Sequence, residues 1–580
     1  MKEKCYTNER AQQIVLALLK AHGIKKVVAS PGATNITLVA SLQHDPYFEI
    51  YSAVDERSAA YIACGMAEES GEPVVLSCTG ATASRNYMPG LTEAYYRKLP
   101  VLAVTATQGN FKIGSLIAQN IDRRNLPNDI ALVSVYVPTI HNAQEEKAAE
   151  LDVNRALLEL KRRGGGPVHI NLATGYSKDY SVKTLPEARV MGRVTPHDRF
   201  PELPKGRVAV FVGSHHEMSE ELTAAIDRFC SARNAVVFCD HTSGYHGKYR
   251  VQVALIGAQR RYRSSVRDVD TLVHIGEVSG NYYGVLPSCV WRVSEDGELR
   301  DTFGRLRYVF EMAELEFFQH YGEDGKEEDS RLSACRAEYD KIYSRIPDLP
   351  FSNPWMAKET APQLPSGSVL HLGILNSLRS WNFFELPQGV RSNCNVGGFG
   401  IDGNVSSLLG ASLASPDKLF FGVVGDLAFF YDMNALGNRH LGKNLRILLV
   451  NNGLGTEFRN YEHPGSLFGE KANLYIAAAG HYGNKSPLLV RHYAEDLGFL
   501  YLSASTKEEY KAALPQFLSP EHERPIILEA FTNHEEESDA IRLMLTVIST
   551  AKGNLIATLK PTIKSILGDK AIAVLKKLTH

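Results

Sequence analysis

The chain has 580 residues, of which 44% are hydrophobic, and its formal net charge is -2. This length is too great for a single hydrophobic core and predicts about three domains. The near-neutral charge lacks the positive field that nucleic acids attract, so we expect no nucleic-acid partner.

The N-terminus leads into a polar helix start, and no apolar run reaches the length of a membrane span. These features favour a cytoplasmic protein.

Short apolar strands alternate with helical stretches over residues 1–182, which predicts a parallel α/β domain. A strand-like segment at 50–54 runs directly into an alanine-rich helix that opens near Asp55. Glu56 lies at this junction. In general, an acid in the first helical turn stabilises the positive helix end and needs no other function.

Residues 183–205 are rich in proline and charge and predict a linker. A second, Rossmann-like α/β domain is predicted at 206–350, and a third α/β domain at 351–550. The predicted fold class is therefore α/β with three parallel-sheet domains, followed by a basic amphipathic helical tail at 551–580.

The third domain contains two polar strand ends. The apolar run 418–424 ends in Gly425 and Asp426, a helix is predicted from Ala428 to about Leu441, and the strand 445–450 ends at Asn452. Carboxyl ends of parallel strands meet at one sheet edge, where phosphates bind, and magnesium prefers oxygen ligands. This pattern predicts a diphosphate and magnesium site. A plain strand end followed by an asparagine turn is the alternative.

Several motifs occur together in one order along about 540 residues. They are Ser30-Pro31-Gly32, Asp55-Glu56-Arg57-Ser58-Ala59, Cys78-Thr79-Gly80-Ala81-Thr82-Ala83, Gly400-Ile401-Asp402-Gly403, and Gly425-Asp426-Leu427 with Tyr431-Asp432-Met433-Asn434-Ala435-Leu436. In these motifs the chain resembles the thiamine diphosphate (ThDP) enzymes of the decarboxylase and acetohydroxyacid synthase superfamily. Within it, the chain is most similar to the 2-succinyl-5-enolpyruvyl-6-hydroxy-3-cyclohexene-1-carboxylate (SEPHCHC) synthase family.

The resemblance implies ThDP and Mg²⁺ as cofactors. It implies that Glu56 hydrogen-bonds the aminopyrimidine ring, that Ile401 supports the bent cofactor, and that Asp426, Asn452 and the backbone carbonyl of Leu454 hold the metal. The remaining implied cofactor contacts are Thr79, Gly80, Gly425 and Leu427. It also implies a homodimer or tetramer with active sites at the subunit interface.

The resemblance fails at positions where SEPHCHC synthases carry anion-binding Arg and Lys residues. Ala33 and Thr34 replace a Ser-Arg pair, Val396 replaces an Arg, and Asn281 aligns with the first residue of a Lys-Arg pair. Neutral side chains do not reproduce the bidentate carboxylate contact of an arginine, which argues against isochorismate as acceptor. The candidate substrate residues are Ala33, Thr34, Gln119, Arg379 and Glu457.

Glu457 stands where the family has an apolar contact. Its carboxylate would repel an anionic acceptor, act as an acid or base, or bind a cationic or hydroxyl-rich substrate. A solvent-facing loop acid is the alternative. Arg379 lies two residues from an aligned family arginine position and is a candidate substitute for it.

We expect an enzyme that decarboxylates a 2-oxoacid and transfers the acyl carbanion to a carbonyl or alkene acceptor, a carboligase. The alternatives are a simple 2-oxoacid decarboxylase, SEPHCHC synthase itself, and a catalytically silent ThDP-binding homologue. The lysine-rich tail at 551–580 either docks on a partner or an anionic membrane surface, or packs on its own subunit.

Overall fold

The computed structural model describes residues 5–322, 329–480 and 486–548. The tail at 551–580, for which the sequence predicts an amphipathic helix, lies outside the described residues. The chain divides into two compact units, of which the first contains the residues up to Phe200 and the segment Asp296–Glu311. The second contains Pro201–Glu295 and the residues from Met312 onward. Among the described helices, none is both long and apolar enough to cross a membrane.

The first unit alternates strands and helices. Its elements up to Phe200 are α1 Arg10–Ala21, β1 Lys26–Ala29, α2 Ile36–His44, β2 Glu49–Ser52, α3 Glu56–Ser70, β3 Val74–Cys78, α4 Thr82–Asn86, α5 Met88–Arg97, β4 Val101–Thr107, β5 Ser134–Val137, α6 Ala143–Glu159, β6 Val168–Ala173 and β7 Gly192–Val194. Six of these strands form a parallel sheet in the order β2-β1-β3-β4-β6-β5.

The second unit begins with a Rossmann-like layer. Its elements are β8 Val208–Val212, α7 Glu220–Arg233, β9 Val236–Cys239, β10 Arg250–Gln252, α8 Ala254–Gly257, β11 Asp268–Ile275 and β12 Leu286–Val293. These strands are parallel in the order β10-β9-β8-β11-β12. The next strand, β13 Leu306–Phe310, belongs to the first unit and pairs in parallel with β7.

The rest of the second unit contains a third parallel sheet. The elements are α9 Glu314–Tyr321, α10 Ser330–Tyr343, α11 Asn353–Thr360, β14 Val369–Leu372, α12 Asn376–Trp381, β15 Arg391–Cys394, α13 Asn404–Ala414, β16 Phe420–Gly425, α14 Asp426–Asp432, β17 Leu445–Asn451, α15 Ala472–Tyr475, α16 Leu489–Asp496, β18 Leu500–Ala504, α17 Lys507–Leu518, β19 Ile526–Phe531 and α18 His534–Leu545. The strand order is β15-β14-β16-β17-β19-β18. The predicted α/β fold class with three parallel sheets is confirmed.

Both faces of the third sheet are buried. Along β16, Phe421 and Val423 join one hydrophobic cluster, whereas Phe420 and Val424 join another. This two-sided burial explains why the sequence reads as a continuous apolar run, because successive side chains of a strand point to opposite faces. The carboxyl edge of the sheet is therefore where polar side chains follow the strands.

The helix after β16 is shorter than the sequence predicts. The single helix predicted from Ala428 to Leu441 is wrong, because α14 begins at Asp426 and ends at Asp432, and a 3-10 helix spans Met433–Gly437. The Asp432 carboxylate accepts a hydrogen bond from the Ser406 backbone amide at 2.6 Å. This contact ties the end of α14 to α13, and the chain leaves the helical path there.

Candidate active site

Asp426 and Asn452 meet at the carboxyl edge of the third sheet. Gly425 at the end of β16 pairs with Val450 of β17, so the residues that follow the two strands lie side by side. The backbone amides of Asn452 and Gly453 donate to Asp426 Oδ2 at 3.2 and 2.5 Å, and the amide of Leu427 donates to Oδ1 at 2.7 Å. The carboxylate is thus held by the start of α14 and by the loop after β17.

The oxygens at this edge have the chemistry of a cation site. Asp426 is buried, and this burial raises its pKa to about 6 despite hydrogen bonds from four backbone amides. Asn452 Oδ1 is also buried and has no hydrogen-bond partner. Because buried polar atoms are nearly always paired, a desolvated carboxylate beside an orphaned amide oxygen fits a hard cation such as magnesium. Among the described residues, no group of three or more His, Cys, Asp or Glu offers another metal cluster.

The loop after Asn452 passes close to this edge. Gly453 has a φ of +79°, a conformation that favours glycine. Leu454 is buried, and the amide of Gly455 donates to the carbonyl of Ala477 at 2.6 Å. A Cβ on Gly455 would lie 3.0 Å from the Phe458 ring, so the two glycines allow the tight path of the loop.

Ile401 is half-buried and packs against the large hydrophobic cluster of the second unit. Its backbone carbonyl accepts a hydrogen bond from Asn404 Nδ2 at 3.1 Å, which anchors it at the start of α13. Val396, for which the resemblance implies a replaced arginine, is buried in the same cluster. An arginine at this position would have to leave the core, so Val396 itself serves packing here.

Glu56 is the first residue of α3 in the first unit, and its side chain is partly exposed. The helix is capped by the residue before it, since Asp55 Oδ1 accepts from the amides of Arg57 at 2.9 Å and Ser58 at 3.4 Å. Glu56 is therefore not required as the cap. Asp55 already places a negative charge at the positive end of α3. The Glu56 carboxylate is therefore available for another contact.

The first unit also contains the turn at Thr79 and Gly80, which contacts Thr34. Thr34 is buried and its hydroxyl bonds that of Thr79, while the amide of Gly80 donates to Thr34 Oγ1 at 3.4 Å. Ala33 beside it is exposed, as is Gln119, which has a φ of +65°. A Cβ on Gly80 would lie 3.2 Å from the carbonyl of Gln119, so only glycine fits comfortably.

A buried arginine, Arg123, lies next to Gly80 of this turn and is not predicted from the sequence. Arg123 donates to Thr105 Oγ1 at 2.6 Å, to the Ala106 carbonyl at 3.1 Å and to Asn171 Oδ1 at 2.8 Å. Burial lowers the pKa of Arg123 to about 10. No motif marks such a residue in a sequence, because its partners are neutral and come from separate strands.

Arg379 and Glu457 form an ion pair in the second unit. Nη1 of Arg379 donates to Glu457 Oε2 at 2.6 Å and Nη2 donates to Oε1 at 2.9 Å, which is a bidentate contact. Burial disfavours the guanidinium charge, but the hydrogen bonds and charge of Glu457 offset this and raise the pKa of Arg379. The nearby Tyr283 also acts to raise the pKa of Arg379. The sequence predicts both charges as substrate residues, and the structure pairs them with each other.

The pair lines a cavity of about 600 Å³ in the second unit. Neutral residues such as Asn281, Phe399 and Asn460 line it as well. Phe399 lies two residues before Ile401, and Glu457 lies three residues after Leu454, so both expected cofactor segments continue directly into the cavity wall. The volume is that of a small-molecule site.

A second buried acid lies near Asp426 and was not expected from the sequence. Glu537 of α18 accepts from the Asn353 amide at 3.0 and 3.1 Å and from Thr532 Oγ1 at 2.8 Å. Burial raises the pKa of Glu537 to about 7, and the charge of Asp426 adds to the effect. Glu537 is the third of three consecutive glutamates in the first turn of α18. Such an acidic run usually indicates a solvated helix start, so the sequence gives no sign that Glu537 is buried.

Comparison with known proteins identifies relatives along nearly the whole chain. The family described as thiamine pyrophosphate enzyme, N-terminal TPP binding domain, matches residues 9–126. The 2-succinyl-5-enolpyruvyl-6-hydroxy-3-cyclohexene-1-carboxylate synthase of Bacteroides thetaiotaomicron is 30% identical over 568 residues, which covers 93% of this chain and 98% of the relative. The enzyme of that name from Phocaeicola vulgatus is 29% identical over 566 residues, with the same coverage.

Proposed function

Because the chain belongs to the 2-succinyl-5-enolpyruvyl-6-hydroxy-3-cyclohexene-1-carboxylate (SEPHCHC) synthase family of ThDP enzymes, which form carbon-carbon bonds from 2-oxoacids, we propose that it is a magnesium-dependent carboligase. It decarboxylates a 2-oxoacid donor and joins the remaining acyl unit to a separate acceptor.

One observation carries the magnesium assignment. The desolvated Asp426 carboxylate and the unpartnered Asn452 Oδ1 lie at the ends of adjacent parallel strands. In this proposal they hold the ion together with the backbone carbonyl of Leu454, and the ion binds the diphosphate of the cofactor. Gly425 and Leu427 belong to the same edge, at the junction of β16 and α14, and the start of a helix suits phosphate oxygens.

ThDP, when bound, supplies the electron sink that decarboxylation of a 2-oxoacid requires. With the cofactor bound, the Glu56 carboxyl group would hold a proton at the aminopyrimidine ring, and the backbone of Thr79 and Gly80 would lie against that ring. Ile401, in the second unit, would support the bent cofactor. Asp55 keeps α3 capped, so the role of Glu56 is separable from helix stability.

Glu56 and Asp426 belong to different units of the chain. Because the resemblance to ThDP enzymes implies active sites at a subunit interface, we propose that the working enzyme is a homodimer or a pair of dimers. Both units expose large apolar side chains. On the first, Tyr61 and Ile62 of α3 are 48% and 44% exposed, and on the second, Phe468 and Tyr475 are 57% and 92% exposed. Apolar surface of this kind marks protein interfaces.

The test is an assay of the purified full-length protein with ThDP, Mg²⁺ and a panel of 2-oxoacids. Carbon dioxide release is measured first, and ligated products are then trapped with several aldehydes and with isochorismate. Release that requires ThDP and yields a ligated product supports the proposal, with Asp426→Asn as the inactive control. Release that yields only the aldehyde derived from the donor, in which a proton has taken the place of the carboxylate, identifies a simple decarboxylase instead. Saturable ThDP binding without release from any donor of the panel favours a donor outside the panel or the catalytically silent homologue.

A further inference from the structure

The charges in the cavity of the second unit cancel one another. The bidentate contact with Glu457 occupies both terminal nitrogens of Arg379. At the cavity rim, Arg260 pairs with Glu462 at 2.6 Å and Arg542 pairs with Asp539 at 2.8 Å. Within the described lining, each arginine therefore has a carboxylate partner already. A carboxylate or phosphate ligand would have to compete with these partners.

Two neutral groups of the lining are unpartnered. Asn281 Nδ2 and Asn460 Oδ1 are buried and make no hydrogen bond, and their side chains are among the residues that line the cavity. The other amide atom of Asn460 is fixed, because Nδ2 donates to Asn376 Oδ1 at 3.0 Å and to Glu457 Oε2 at 3.2 Å. Asn460 therefore has an unmet acceptor and Asn281 an unmet donor, on two side chains that line the cavity.

A hydroxyl group suits this arrangement, since it both donates and accepts a hydrogen bond. A carboxylate satisfies the Asn281 donor but leaves the Asn460 acceptor unpaired and meets the Glu457 charge. Buried donors and acceptors that lack partners are costly, so the lining discriminates by hydrogen-bond type as well as by charge.

We propose that this cavity binds a neutral, polyhydroxylated aldehyde as the acceptor, and that Glu457 sets this preference by masking Arg379. The inference rests on the proposed carboligase function. In the reaction, the bond between the donor carbonyl carbon and its carboxylate breaks and carbon dioxide leaves. The electron pair forms the new bond to the aldehyde carbon, and the aldehyde oxygen takes a proton from solvent to become a hydroxyl.

The test measures binding of D-glucose and D-glucuronate, two aldoses that differ by one carboxylate, to the full-length protein with ThDP and Mg²⁺. Ligand-observed NMR gives both dissociation constants without turnover. The wild type is expected to bind glucose more tightly than glucuronate. In Glu457→Gln, Arg379 keeps its hydrogen bond to Asn376 Oδ1 at 3.1 Å but loses its carboxylate partner. The preference should therefore shift toward glucuronate at least tenfold, or about 1.4 kcal/mol.

A matched control is Glu462→Gln, which removes one carboxylate from the exposed rim of the same cavity and should leave the preference within about twofold. The double variant Glu457→Gln with Arg379→Gln should lose the gain for glucuronate. Circular dichroism checks that each variant is folded. Wild-type protein that prefers glucuronate, that binds neither aldose, or whose preference is unchanged in a folded Glu457→Gln variant overturns the inference.

Carbon dioxide release without any aldose separates this inference from the proposed function. Release with no binding of glucose overturns the acceptor assignment and leaves the decarboxylation standing. Binding of glucose that weakens in Asn460→Ala, with no release from any 2-oxoacid, supports the cavity assignment and overturns the proposed function.

Discussion

The backbone amide of Asn452 donates to Asp426 at 3.2 Å, while the side-chain oxygen of Asn452 stays buried without a partner. One residue thus fixes the carboxylate and also presents a second oxygen beside it. Removing that oxygen removes no hydrogen bond of the protein itself. The function of the site is therefore separable from the stability of the fold at this position.

The first prediction uses this separation. Asn452→Ala should leave the melting temperature of the cofactor-free protein unchanged and weaken magnesium-dependent ThDP binding about 100-fold, or about 2.7 kcal/mol. Calorimetric titration with ThDP at fixed Mg²⁺ measures the loss. The neighbouring Asn451 provides the control, because its Nδ2 donates to buried Glu529 at 2.7 Å. Asn451→Ala should lower stability by about 1–3 kcal/mol even without cofactor. Equal ThDP affinity in Asn452→Ala and wild type contradicts the metal assignment.

The second prediction concerns Glu56. Glu56→Gln should keep the melting temperature, since Asp55 caps α3, and should lower carbon dioxide release at least about 100-fold, the usual range for a lost proton-transfer group. ThDP affinity should change far less than the rate. The control is Glu68→Gln on the same helix, where the exposed carboxylate pairs with Arg97 at 3.0 Å. Near-normal turnover in a folded Glu56→Gln variant removes the assigned role.

The sequence predicts the three sheets well because each buried strand is a short apolar run between polar ends, as β16 and β17 illustrate. It also places Asp426 beside Asn452, since parallel strands bring their carboxyl ends to one edge. The pairing of Arg379 with Glu457 was not predicted, because two opposite charges 78 positions apart carry no sequence signal of contact. The end of α14 at Asp432 was missed for the same reason, as the partner Ser406 comes from another helix.

The third prediction concerns subunit assembly. Ile62 is exposed on α3, the helix that Glu56 begins, and we expect this face to be buried against a second copy of the chain. Ile62→Asp should convert a dimer to monomers in analytical ultracentrifugation and reduce ThDP-dependent release in parallel. Ser70→Asp introduces the same charge at the exposed end of the helix and should leave the dimer intact. A wild type that is monomeric in the presence of ThDP and Mg²⁺ contradicts the interface.

The fourth prediction follows from the buried acid Glu537, whose pKa burial raises from an ordinary 4.5 to about 7. Between these values the unfolded chain releases the proton while the folded chain keeps it, so rising pH favours unfolding and the loss is complete above about pH 7. Glu537→Gln does not titrate. Its stability relative to wild type should therefore increase from pH 4.5 to pH 8, by on the order of 3 kcal/mol.

Thermal unfolding of the cofactor-free protein at several pH values measures this difference. Glu535→Gln, an exposed acid in the first turn of the same helix, should follow the wild-type pH profile. Because the charge of Asp426 helps to raise the pKa of Glu537, the variant Asp426→Asn should itself flatten part of the profile. A constant difference between Glu537→Gln and wild type across this range would show that Glu537 is ionised in the folded protein, with its three hydrogen bonds from Asn353 and Thr532 outweighing burial.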